Sequence, residues 1–123
     1  MPVQLIHANP QVRADIGKVA VVKGPVVYCL EEVDNGNLLA ANQISSDATF
    51  TENFQSEILG GTIVLETTGE KLIDHCDPSE FGQLPLYRTV RPGFAPVKLK
   101  FVPYYLWGNR QPGEMMVWIR YRD

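Results

Sequence analysis

The sequence predicts an all-β fold, an antiparallel two-sheet β-sandwich of jelly-roll type with at most one short helix. Three observations carry that prediction. Apolar residues alternate with polar ones or gather in short β-branched runs, each run ends in turn-forming residues, and only one segment has helix start and stop residues in order. About seven short strands with turns between them favour two stacked sheets over an open sheet with helices, and a small closed barrel is the alternative.

Taken in chain order, VQLI (3–6) reads as a first strand. NPQVRADIG (9–17) offers Asn9 as a cap, Pro10 at the first helical position, Val12 and Ile16 four apart and Gly17 as a stop, so it reads as one or two helical turns. VAVVK (19–23) and PVVYCLEE (25–32) are strands separated by Gly24-Pro25, where proline cannot donate to a ladder. DNGN (34–37) is a turn. ATFTENF (48–54) places Phe50 and Phe54 on one face, and TIVLETT (62–68) alternates and is bracketed by Gly60-Gly61 and Thr68-Gly69-Glu70. Residues 74–95 carry Pro78, Gly82, Pro85, Pro92 and Gly93 and read as a long excursion with LYRTV (86–90) as a short strand. PVKLKFVPYY (96–105) and EMMVWIRY (114–121) alternate again, joined through Gly108-Asn109 and Pro112-Gly113 as a hairpin or a corner between sheets.

The 123 residues suit one domain, 1–123, able to bury a core without staples. Hydrophobic residues at 45% and charged residues at 20% argue against disorder. The net charge is -3, and the lysines and arginines are scattered, so the basic stripe that phosphate neutralisation needs is missing and nucleic acid is not an expected partner. No apolar run reaches the roughly 20 residues that span a bilayer, and MPVQLIHANPQ does not read as a signal peptide. The chain is expected to be soluble and off the membrane.

Cys29 lies in VVYCLEE, where a buried free thiol is the ordinary outcome. Cys76 lies between His75 and Asp77, but neighbours on an extended chain point in opposite directions and cannot chelate one ion together, so a solvated loop is expected. A disulfide between the two cannot be read from sequence.

Glycoside hydrolysis needs two carboxyl groups about 5 to 9.5 Å apart. Glu31, Glu32, Glu66 and Glu114 are available, yet no motif pairs any of them. His7 and His75 are the only histidines, no nucleophile sits in a Gly-rich elbow, and Walker, dinucleotide and CxxC motifs are absent. No catalytic, cofactor-binding or metal-binding residue is assigned in this chain.

The tail PYYLWGNRQPGEMMVWIRYRD (103–123) holds both tryptophans and three of the five tyrosines. Trp118 shares a strand face with Met116 and is expected in the core. Trp107 either caps the end of the sandwich, with Arg110 beside it, or meets a partner. Tyr104, Trp107 and Arg110 are the expected partner or ligand contacts.

The strings VAVVKGPVVYCLEEVDN (19–35) and PYYLWGNRQPGEMMVW (103–118) together resemble the C-terminal β region of glycoside hydrolase family 127, the β-L-arabinofuranosidase family. The matching positions are Gly24, Pro25, Tyr28, Cys29 and Glu31, then Pro103, Tyr104, Trp107, Asn109, Arg110, Gly113, Glu114, Met115 and Trp118. The resemblance covers essentially the whole chain. It implies a parent enzyme with an (α/α)6 catalytic barrel carrying a cysteine nucleophile, a glutamate acid/base and a zinc ion, none of which maps onto these residues. Cys29 matches a strand cysteine of the family, not its nucleophile.

On this resemblance the chain is expected to be a C-terminal fragment of a larger glycoside hydrolase and not itself an enzyme. Its expected role is an accessory domain that supports or docks on the catalytic barrel, with a homodimer as a further contact and zinc confined to the absent catalytic domain. The alternative is a carbohydrate-binding module for arabinose-containing glycans. The cytoplasm is favoured for the parent, although a fragment carries no information about secretion.

Overall fold

A computed structural model describes residues 2–36, 38–56, 58, 61–73, 93–106 and 113–122. Among these, nine strands run in chain order: β1 (Val3–His7), β2 (Lys18–Lys23), β3 (Val26–Glu31), β4 (Asn42–Ser45), β5 (Thr51–Gln55), β6 (Thr62–Ile73), β7 (Gly93–Pro103), β8 (Met115–Met116) and β9 (Ile119–Arg122). One four-residue helix, α1 (Glu32–Asn35), follows β3 directly.

The strands do not stack as two sheets. β2 pairs with β9, β9 with β4, β4 with β6, β6 with β7, β7 with β3, and β3 returns to β2, so six strands close into a barrel. β1, β5 and β8 lie outside the ring, on β2, β6 and β3. This overturns the sandwich. The all-β class and the minimal helix stand, but one closed sheet replaces two stacked ones. The physical reason lies at the seam, where β9 pairs antiparallel to β2 (Val19↔Ile119) and parallel to β4 (Ile44↔Tyr121). Closure leaves those barrel strands without free edges.

The barrel is filled, as a small one must be. Every ring strand contributes inward side chains: Val19 and Val21 from β2, Tyr28 and Leu30 from β3, Ile44 from β4, Leu65 from β6, Leu99 and Phe101 from β7, and Ile119 from β9. Leu39, from a 3-10 turn over Leu39–Ala41, joins the same core. Phe50 meets Phe101 edge to face at 5.8 Å between ring centroids.

A second, smaller core sits on the outer side of the same wall. Strand alternation turns Cys29, Val64 and Val102 outward, where they pack with Ile58 beneath Leu106, Met115 and Val117. Cys29 is fully buried, as its flanking residues predicted.

Several boundaries differ from the sequence reading. The helical turns expected over 9–17 shrink to a 3-10 turn at Arg13–Asp15. The strand expected to end near Thr68 continues through Gly69 to Ile73, and the short β4 was not foreseen. EMMVWIRY is broken by a bend at Val117–Trp118 between β8 and β9. Trp118, expected in the core, is therefore half-buried on the flank, and Phe101 is a fully buried aromatic of the core instead. LYRTV, Cys76 and His75 lie outside the described residues.

Candidate functional site

Antiparallel pairing brings the ends of β2, β5 and β7 to the same end of the barrel as the starts of β3 and β6. There the chain leaves β7 in a 3-10 turn, Tyr104–Leu106. Leu106 tucks against the outer core, while Tyr104 and Tyr105 stay exposed at 46% and 67%. The two tyrosines serve different hollows.

Tyr104 lines an open hollow of about 450 Å³ with Val27, Met115, Val117 and Trp118. Its floor continues into the outer core through Met115 and Val117. Among the described residues no charged side chain lines it. The sequence named Tyr104 as a contact residue, and the structure surrounds it with apolar neighbours. Trp107 and Arg110, the other two expected contacts, lie outside the described residues.

Tyr105 lines a second hollow, of about 440 Å³, at the barrel mouth beside Lys23, Pro25, Tyr28, Phe54 and Ile63. Phe54 is 69% exposed, and its ring rests on Gly61, where an added Cβ would fall 2.6 Å from Phe54 Cζ. The Lys23 ammonium is bound by Glu52 at 2.6 Å, which holds its pKa above the ordinary value of 10.5. Tyr28 donates its hydroxyl to the Ile63 carbonyl at 3.2 Å, and burial pushes its pKa upward. Sequence patterning missed this hollow.

A third hollow, of about 340 Å³, is polar and includes Ser45, Asp47, Asn53, Glu66 and Lys98. Glu66 accepts from Asn53 Nδ2, with Lys98 Nζ 3.9 Å away, and Asp47 accepts from the Ser45 hydroxyl. That hydroxyl draws the Asp47 pKa below its ordinary 3.8, the wrong direction for a general acid. Glu32 and Glu114, also weighed from sequence, meet elsewhere: Glu32 Oε1 accepts from the Glu114 backbone N–H at 3.0 Å. Among the described residues no three His, Cys, Asp or Glu side chains converge as metal ligands. No helix among them is long and apolar enough to cross a membrane.

Comparison with known proteins places this geometry. Residues 3–120 match the model of the glycoside hydrolase family 127 C-terminal domain. A non-reducing end beta-L-arabinofuranosidase of Bifidobacterium longum subsp. longum is 40% identical over 98% of this chain, which spans 18% of that protein. A solved GH127 beta-L-arabinofuranosidase from Geobacillus stearothermophilus T6 superposes with a TM-score of 0.88 at 44% identity, covering 98% of this chain and 18% of that one. A further solved GH127 beta-arabinofuranosidase gives a TM-score of 0.80 at 28% identity, over 100% of this chain and 19% of its own. The chain thus spans about a fifth of the length of these relatives.

Proposed function

The chain belongs to the glycoside hydrolase family 127 C-terminal domain family, and from that premise we propose that it is a non-catalytic accessory domain of a β-L-arabinofuranosidase-type enzyme. In this reading its partner is the enzyme's own (α/α)6 catalytic barrel, which also holds the nucleophile, the acid/base and the zinc. The Tyr104 hollow is the docking face.

One observation supports that face above others. Val27, Tyr104, Met115, Val117 and Trp118 form a concave apolar lining that ends in a packed outer core, and such a patch on a soluble domain marks a contact surface. Interface centres favour aromatic residues and methionine and are poor in charge, as the described lining of this hollow is. Trp107 and Arg110 follow the Tyr104–Leu106 turn directly in sequence and belong to the proposed contact.

The test is to mix the 123-residue chain with the separately produced catalytic part of its enzyme. The chain alone is expected to release no sugar from a β-L-arabinofuranoside and to bind the catalytic part, with Val27→Asp abolishing the association. Val27 is exposed, so the variant should fold. Cleavage by the isolated chain, or wild-type association by Val27→Asp, overturns the reading. Sedimentation of the chain alone checks the competing occupant of this face, a second copy.

A further inference from the structure

The two apolar hollows flanking the Tyr104–Leu106 turn differ in chemistry, and that difference separates their occupants. Among the described residues the Tyr104 hollow is lined by no charged side chain. The barrel mouth sets two exposed rings, Phe54 and Tyr105, beside the Tyr28 hydroxyl and the Lys23–Glu52 pair. We propose that the barrel mouth is a binding subsite for one ring of a neutral carbohydrate.

The argument starts from what a sugar ring presents: C–H groups on a face, and hydroxyls around its edge that both donate and accept. A site for it needs an apolar ring surface and, close by, a donor and an acceptor whose charges cancel. Phe54 and Tyr105 supply exposed ring surface, and neither is consumed by the core. Lys23 lines the hollow and supplies a donor, and its ion pair with Glu52 at 2.6 Å offsets its charge, so the pair adds no net charge that would select an ion. Tyr28 spends its proton on the Ile63 carbonyl and keeps its oxygen as an acceptor. Burial keeps that phenol protonated, so the floor is neutral too.

Size agrees. The hollow is about 440 Å³, within the range of roughly 300–1,000 Å³ typical of small-molecule sites and large enough for one ring with part of a second. A few polar groups set among aromatic walls is the usual make-up of such sites. Gly61 is part of the construction, because a side chain there would collide with Phe54 and displace the ring. Among its described lining residues the Tyr104 hollow has ring surface but no charged donor or acceptor, which suits a protein surface.

The experiment is a titration of the 123-residue chain with methyl xyloside and methyl galactoside up to about 50 mM, followed by amide NMR shifts, since weak sites of this size bind in the millimolar range. Shifts should saturate and cluster at Lys23, Tyr28, Phe54, Gly61 and Tyr105. Phe54→Ala and Tyr105→Ala should each weaken binding about tenfold with the melting temperature unchanged, because both side chains are exposed. Absence of shifts for both glycosides overturns the proposal, as do shifts that both variants leave unaltered. Burial of Phe54 and Tyr105 on mixing with the catalytic part, seen as loss of these shifts, would make the mouth a protein contact and also overturn it. Val27→Asp should leave the titration unchanged, which separates failure here from failure of the docking face.

Discussion

Asn35 shows how much one side chain can settle. It ends α1, and its amide reaches 65 positions along the chain to complete a ladder: Nδ2 donates to the Lys100 carbonyl at 2.9 Å, and Oδ1 accepts from the Lys100 N–H at 2.9 Å. β3 pairs with β7 only from Phe101 onward, so Asn35 stands in for the strand that α1 interrupts. Asn35→Ala leaves both backbone groups of Lys100 without that partner in a half-buried setting, which should cost about 1–3 kcal/mol. Denaturant melts would show it as a lower midpoint at unchanged slope, and a loss below about 0.5 kcal/mol would mean water replaces the amide. The sequence identified DNGN as a turn, yet nothing in it could say that the turn's asparagine pairs with a lysine backbone so distant. Phe54 escaped for a related reason. Alternation put it on one face with Phe50, but β5 begins only at Thr51, so Phe50 follows the loop into the core while Phe54 stays on the surface.

Strands were more legible than their ends. β1, β2, β3 and the core of β7 lie where alternation placed them, because a half-buried pleated strand imposes its period of two on the sequence. β6 was cut short because glycine ordinarily weakens a strand, and here Gly69 is what lets the strand pass. A Cβ on Gly69 would lie 2.6 Å from Leu99 Cδ1 and 2.7 Å from the Gln43 carbonyl oxygen, so β4 and β7 both close on that point. The leucine tip could yield, but a backbone carbonyl of the neighbouring strand cannot move without opening the β4–β6 pairing beside it (Gln43↔Glu70). Gly69→Ala should therefore destabilise the domain by about 1–3 kcal/mol, the usual cost of overpacking, despite alanine's lower chain entropy when unfolded. Equal or higher stability of the variant in thermal melts would show that the strands can part there at little cost. The Tyr104 hollow belongs to this scale as well, since the bend at Val117–Trp118 that breaks a predicted single strand is what turns Trp118 onto the flank.

The choice between sandwich and barrel lay beyond any local pattern, because both fill their interiors from alternating strands. It is made by β9, the strand that joins β2 to β4. Ile119 is fully buried opposite Val19, Tyr121 pairs with Ile44, and the Tyr121 N–H reaches the Gly17 carbonyl at 3.0 Å. Arg122 closes the far side by binding Glu70, which with Gln43 draws the Glu70 pKa below its ordinary 4.5. Removing residues 119–123 would delete a core isoleucine, about 2–5 kcal/mol alone. It would also leave β2 and β4 with open edges on the seam. Against a total stability of about 5–15 kcal/mol for a domain of this kind, those losses together should abolish the folded state. The expected result is loss of the cooperative thermal transition by circular dichroism, with the full chain and Arg122→Ala both retaining it. If the truncated chain instead melts cooperatively within a few degrees of the full one, β9 would be a covering strand and not the closure, and the sheet would hold its shape open.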